Sequence, residues 1–146
     1  MLSTCQATDD DLAFLEDVFL RAMRVHITAA RGTWDEARER SQFCEQLRLW
    51  HAQIIKQSGL RVGFYITLES GADVELHTLC IAPEHQGQGL GSDVTRQILS
   101  DARARNRDGV VLSVLKPNTA ARSLYERLGF TITEEHTHHY RMRLAL

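Results

Sequence analysis

Residues Val74–Gly91, VELHTLCIAPEHQGQGLG, decide the architecture. An apolar strand pattern runs into a proline-bearing loop, then into a turn with glycine at every second position: Gly87, Gly89 and Gly91. Leu90, Val94, Ile98, Leu99 and Ala102 follow at helical spacing. The next apolar run, VVLSVL (Val110–Leu115), has the composition of a strand buried on both faces. A strand, a turn, a helix and a second strand in that order predict two parallel neighbours, because such a crossover returns the chain beside its first strand.

Upstream, the period is that of strands. LRVGFYITLE is β-rich, a turn at Ser58-Gly59 precedes it, and SGAD separates it from VELHTLCIA. Short strands joined by tight glycine turns predict an antiparallel meander. Earlier still, MLSTCQAT alternates as a short strand, and TDDDL supplies an N-cap and an acidic first turn. Leu12, Leu15, Val18, Phe19, Ala22 and Met23 predict a helix to about Ala30, which RGT breaks. Trp34 to about His51 is a second helical region that carries Ala37, Phe43, Leu47 and Trp50 among many charges.

Downstream, Asp108-Gly109 is read as the end of the helix after the glycine turn. KPNTAARSLYERLGF is a helix opened by Asn118 and stopped by Gly129, and Phe130–Leu146 is a last hairpin. The expected order is βααβββαβαββ. It is an α/β fold of the α+β type, with a mixed sheet of about seven strands flanked by about four helices in a single domain, residues 1–146. No repeat, low-complexity segment or linker interrupts it.

Composition excludes several classes. The 146 residues are 43% apolar and 25% charged, with a formal net charge of -2. That balance argues against a nucleic-acid partner or a membrane surface. Cys5, Cys44 and Cys80 are odd in number and form no CxxC pair, so neither a disulfide framework nor a zinc knuckle is expected. Cys80 reads as a buried thiol. The first residues lack the basic start and apolar stretch of a signal peptide, and no apolar run nears the ~20 residues of a membrane span. A cytoplasmic protein is expected.

The glycine turn admits several ligands. A dinucleotide fingerprint needs G-x-G-x-x-G and an acidic residue ending the next strand. Here the spacing is G-x-G-x-G, and that strand ends in LKPN. A triphosphate loop needs Gly-Lys-Ser/Thr, and GLGSDV has no lysine. What remains is a helix N-terminus with unpaired N–H groups, approached through glycines that leave room for an anion. A phosphate or pyrophosphate site fits that description, and so does a plain tight turn.

QGQGLG resembles the Gln/Arg-x-x-Gly-x-Gly/Ala motif of the GNAT acetyltransferase superfamily, with Gln86, Gly89 and Gly91 at its defining places. The resemblance extends to the apolar strand and proline loop before the motif, to VVLSVL and Asn118 after it, and to the ending LYERLGF. Motif matches run from Val74 to Phe130; elsewhere the match is in element order. The resemblance implies a partly splayed sheet and transfer of an acetyl group from acetyl-CoA to a primary amine in a ternary complex. It implies that Gln86 and the amides of Gly87, Gln88, Gly89, Leu90, Gly91 and Ser92 meet the pyrophosphate of coenzyme A. It also implies that the backbone of Leu79, Cys80 and Ile81 pairs with pantetheine and that Asn118 touches the cofactor, although an N-cap is an equally sound use of Asn118.

Acetyl transfer sets two proton problems. An alkylammonium titrating near ~10.4 must lose a proton before it attacks, and a leaving thiolate of ~8.5 benefits from a donor. Tyr125 matches the family tyrosine and is the expected acid; its alternative is a core residue of the helix. Asp73, Glu75 and His77 share one strand face. Glu75 stands where family members carry a base acting through water, with His77 and a plain solvated face as alternatives. His136, His138 and His139 invite a metal reading, but without cysteines a solvated histidine-rich end is expected and no metal. Arg24, His26 and Trp34 are candidates for shaping an acceptor pocket. A homodimer is compatible with the family. Acyl-CoA sensing without turnover, or transfer of another acyl group, are the alternative functions.

Overall fold

The computed structural model describes residues 2–47 and 49–146; Met1, Arg48 and the Trp50 side chain expected on the second helix lie outside it. Seven strands and four helices are present among the described residues: β1 (Leu2–Gln6), α1 (Leu12–Arg31), α2 (Glu36–Gln46), β2 (Ala52–Gln57), β3 (Leu60–Ser70), β4 (Asp73–Ile81), α3 (Leu90–Ala104), β5 (Gly109–Leu115), α4 (Thr119–Leu128), β6 (Thr131–Glu135) and β7 (His139–Ala145). This is the expected order, a mixed α/β fold. Hydrogen bonding arranges the strands β1-β2-β3-β4-β5-β7-β6. No described helix is long and apolar enough to cross a membrane.

The residues group into two compact units. The first comprises residues 1–66 and 78–88, the second residues 67–77 and 89–146.

In the first unit, β1, β2 and the start of β3 pair antiparallel. Ser58 and Gly59 join β2 to β3 with positive φ at both positions, the geometry of a type I′ hairpin turn. Ile54 and Ile55 are neighbours in β2, and both are fully buried. Successive side chains leave a strand on opposite faces, so this strand is covered on both sides. Leu15 and Val18 of α1, Phe43 of α2 and Phe64 of β3 complete the core. Phe43 stacks on Phe19 at 4.5 Å and meets Phe64 edge-on at 6.1 Å. Gly32, with φ 81°, caps α1 at the expected break.

In the second unit, β4 pairs parallel with β5, as the crossover required, over Asp73–Leu76 against Gly109–Leu112. β5 pairs antiparallel with β7 along its whole length, and β7 with β6. Leu90, Val94, Ile98, Leu99 and Ala102 form the buried face of α3, opposite its charged face. Each such aliphatic side chain contributes about 1.5–3 kcal/mol on burial. Two boundaries differ from expectation. α2 ends at Gln46, short of the expected His51, because Leu47 takes extended backbone (φ -62°, ψ 129°). α3 ends at Ala104, where Asn106 takes φ 57°, and Gly109 belongs to β5. Asparagine tolerates the left-handed region because its short amide can bond locally, so it stops the helix here in place of the glycine.

Candidate functional site

The glycine turn is built from two left-handed residues and a helix end. Gly87 has φ 78° and Gly89, the N-cap of α3, has φ 79°. A Cβ built on either meets nothing within 4 Å, so both are open toward the surroundings. By helix geometry the first turn of α3 presents the N–H groups of Leu90, Gly91 and Ser92 without intrahelical acceptors four residues back. Asp93 N–H is already bonded to the Gly89 carbonyl, and the Asp93 carboxylate is paired with Arg96 at 3.1 Å. Leu90 turns its side chain into the core, so only its backbone is available to a ligand.

Gly91 differs from the other two. Its φ is not positive, and a Cβ there would stand 3.2 Å from Cδ1 of Leu124 in α4. Its smallness lets α3 and α4 approach. The Gln86 side chain also serves the turn itself: Nε2 donates to the Ile81 carbonyl at 2.9 Å, closing the loop back on the end of β4.

Leu79, Cys80 and Ile81 form the last turn-ward part of β4. The Cys80 thiol is buried, and burial pushes it up to about 12, so it is no nucleophile at neutral pH. The Cys80 carbonyl passes 2.3 Å from where a Cβ on Gly63 would sit. Only glycine fits in β3 at that crossing. Ala82 N–H donates to the Val62 carbonyl at 2.8 Å beside it.

Tyr125 is buried in α4, its ring edge against Phe130 at 5.6 Å. Packing fixes its χ angles and hence where the hydroxyl points. Asn118 caps α4: Oδ1 accepts from Ala121 N–H at 3.2 Å. The capping use is therefore real, and it leaves the Nδ2 amide as a donor. Nearby, the Tyr140 ring lies under Lys116 and Arg122, 5.2 and 4.8 Å from its centroid.

Asp73, Glu75 and His77 alternate with buried Val74 and Leu76, so they share the outer face of β4 as expected. The structure adds two arginines from β7. Gly109, Val111 and Ser113 of β5 lie between them, opposite Ala145, Arg143 and Arg141. Arg143 crosses the bare Gly109 position, where a Cβ would stand 2.6 Å from its guanidinium, and grips both Asp73 oxygens at 3.0 Å. That hydrogen-bonded guanidinium holds the Asp73 carboxyl below the usual carboxylate range. Arg141 donates to Ser113 Oγ at 3.2 Å and stands 3.8 Å from Glu75 Oε2. Arg141 and Arg143 are charged neighbours of this face that sequence reasoning missed. The alternation in YRMRLAL places them on one face, but only the register across β5 brings them to β4.

In the first unit, Arg24 stacks over Trp34 at 5.8 Å, and Trp34 Nε1 is buried without a hydrogen-bond partner among the described residues. Burial lowers the His26 pKa. Arg21 of α1 holds Glu84, in the loop before the glycine turn, at 2.7 Å, which brings that carboxyl down to about 2. In the second unit, His136 and His139 stack at 4.6 Å across the β6–β7 turn. Burial first, and then the neighbouring His136 charge, lower the His139 pKa. No group of three or more metal-ligating side chains is gathered among the described residues.

The sequence profile of the acetyltransferase (GNAT) family matches residues 19–130. Over 85 residues the chain is 40% identical to a mycothiol acetyltransferase of Thermobispora bispora, covering 53% of this chain and 29% of that protein. Across the first such curated relatives, the chain spans only 27% to 33% of their length. Among solved structures, the PaiA N-acetyltransferase of Thermoplasma acidophilum, in complex with coenzyme A, superposes with a TM-score of 0.83 at 15% identity, covering 100% of this chain and 99% of that one. The ribosomal-protein-S18-alanine N-acetyltransferase of Escherichia coli gives 0.74 at 22% identity, covering 99% and 94%. At such identities the likeness is one of fold. The profile spans most of the sequence, from α1 to the end of α4, and by it the chain belongs to the acetyltransferase (GNAT) family.

Proposed function

We propose that this chain is an acetyl-CoA-dependent N-acetyltransferase that moves the acetyl group directly to a primary amine. The observation that carries the reading is the pair of left-handed, sterically open glycines, Gly87 and Gly89, at the mouth of α3. Side chains there would hold an anion off the backbone, and the positive end of the helix dipole attracts it. The pyrophosphate of coenzyme A suits that cradle, with amide donors from Gly87 to Ser92 and Gln86 bracing the loop. Asn118 adds its Nδ2 amide. β4 continues to Ile81, and the backbone of Leu79, Cys80 and Ile81 is where the family resemblance sets a strand-like pantetheine.

Acetyl-CoA supplies an acetyl carbon activated as a thioester. In the transfer a C–N bond forms, the C–S bond breaks, and the nitrogen loses two protons. Glu75 takes one proton of the incoming ammonium through water, Tyr125 gives one to the departing sulfur, and the second proton that the nitrogen loses as the C–N bond forms restores the tyrosine. The acid role of Tyr125 is supported by its packed, fixed ring, and the base role of Glu75 by its place on the open face of β4.

Calorimetry with acetyl-CoA and a screen of amines read by release of the coenzyme A thiol test the proposal. Micromolar binding with turnover of at least one amine is expected, and Tyr125→Phe lowers kcat by about 10²–10⁴. Binding without turnover of any amine overturns the enzyme in favour of a sensor. Equal rates in Tyr125→Phe remove the tyrosine from the chemistry.

A further inference from the structure

We propose that the acceptor is an α-amino acid, whose carboxylate is held by Arg141 while Glu75 faces its amine. The inference rests on the acetyltransferase reading and deepens it. It starts from two arginine–carboxylate pairs that sit two residues apart on the same strands and are not alike. Arg143 spends two donors on Asp73, each at 3.0 Å, and that pair is closed. Arg141 touches Glu75 only at 3.8 Å, beyond hydrogen-bond reach, and its one side-chain hydrogen bond among the described residues goes to Ser113 Oγ. Both partners are about a quarter exposed, 25% and 26%, so the gap is sheltered but reachable. Glu134 lies opposite Arg141 on β6, but its carboxylate leans to His136, 4.0 Å away. Arg141 therefore offers guanidinium donors that no described carboxylate meets within hydrogen-bond distance.

A guanidinium fork matches a carboxylate in shape as well as charge. Beside it, Glu75 complements an amine. An amine and a carboxylate on one carbon present the same two charges as this pair, in the opposite order and at comparable spacing. A simple cationic amine would bring a second positive charge to Arg141, and a simple anion would meet Glu75. The pair thus rejects by repulsion what it does not select by attraction. The reaction itself is balanced as above: the nitrogen gains the acetyl carbon and loses two protons, one by way of Glu75 and one that replaces the proton Tyr125 gives to the departing thiol. The N-acetyl product has lost its basic nitrogen, so a net anion is left against Glu75, which favours release.

The test sets each of a panel of L-α-amino acids against its own α-carboxamide, with acetyl-CoA, and reads the ratio of kcat/KM. For the best amino acid the wild type should prefer the acid by about 10- to 100-fold, the worth of a hydrogen bond to a charged group. Arg141→Met should bring that ratio to about one, and Arg141→Lys should keep part of it, as a point charge without the fork. Ser113→Ala, which frees the guanidinium from its anchor, should lower the ratio less than Arg141→Met. Calorimetry with acetyl-CoA checks that each variant is folded; if Arg141→Met is not, Ser113→Ala carries the test. Amides as good as acids, or a preference that survives loss of the arginine, overturn the amino-acid assignment and leave the acetyltransferase reading standing. No thiol release with any amine overturns both.

Discussion

Two regions of the molecule use glycine for opposite reasons. At Gly63 the space is already filled: the Cys80 carbonyl lies 2.3 Å from where a Cβ would be. At Gly87 and Gly89 the space is empty, and the backbone is left-handed instead. The first glycine is required by the fold and can be explained without a ligand. The other two solve no packing problem inside the chain, and their conformation exposes backbone N–H groups at a helix mouth. Crowded glycines therefore report on architecture and open ones on what the surface receives. Replacing each kind should separate stability from binding.

The largest effect should come from Gly63→Ala. The added methyl meets a backbone carbonyl, which cannot swing aside as a side-chain end can. A loss of about 3–5 kcal/mol in urea unfolding is expected, with poor expression as its visible sign. A change below about 1 kcal/mol would mean that β3 and β4 part easily here and that the crossing is not a constraint.

Gly89→Val should split the two readouts. A β-branched residue forced left-handed costs about 1–2 kcal/mol of stability. Acetyl-CoA binding, measured by calorimetry on the folded variant, should weaken by about 10- to 100-fold, because the side chain stands between the phosphates and the amides. Unchanged affinity would return this turn to the class of plain tight turns.

Much of this was legible in the sequence. Period and turn residues gave the element order, because α1, α3 and α4 each keep an apolar face and glycine or proline flanks β3, β4 and β5. The glycine spacing also pointed to the helix mouth. What stayed hidden was whatever depends on register. Arg141 and Arg143 reach β4 only because β5 places Ser113 and Gly109 between them, and no local pattern encodes that alignment. Gly63 did carry a signal, an isolated glycine inside a strand pattern, which commonly marks a close backbone approach. The Asp108-Gly109 pair misled for the same reason: it looks like a helix stop, whereas Gly109 is spare room for Arg143.

Gly109 is an intermediate case, since its crowding neighbour is the end of a side chain. Gly109→Ala should be milder than Gly63→Ala, with Arg143 pushed off Asp73 in place of a backbone shift. The effect should depend on pH. Asp73 is held below its ordinary 3.8 in the folded chain by the Arg143 hydrogen bond. The stability it contributes is thus fully present above about pH 3.8 and is lost as pH falls through the lower folded value. The stability gap between wild type and Asp73→Asn should accordingly be widest above that pH and shrink as acid is added. Gly109→Ala should show a reduced version of the same trend. A gap that stays constant across the range would mean that the pair does not bear on folding.

The smallest effect, and the finest division, concerns Gly91. It lies in the same run as Gly87 and Gly89 and falls at a defining place of the family motif, yet its environment puts it with the crowded glycines. Its backbone is not left-handed, and a Cβ would press Leu124 Cδ1 at 3.2 Å. That neighbour is a flexible side-chain end and needs to yield only a few tenths of an ångström. Against this small strain, alanine in a helix is favoured over glycine by about 1 kcal/mol. Gly91→Ala should therefore leave stability within about 1 kcal/mol of wild type and acetyl-CoA affinity within about threefold, since the amide stays where it is. A loss of affinity as deep as that of Gly89→Val would show that the ligand approaches the third glycine as closely as the second, and the division between crowded and open glycines would then fail inside the turn itself.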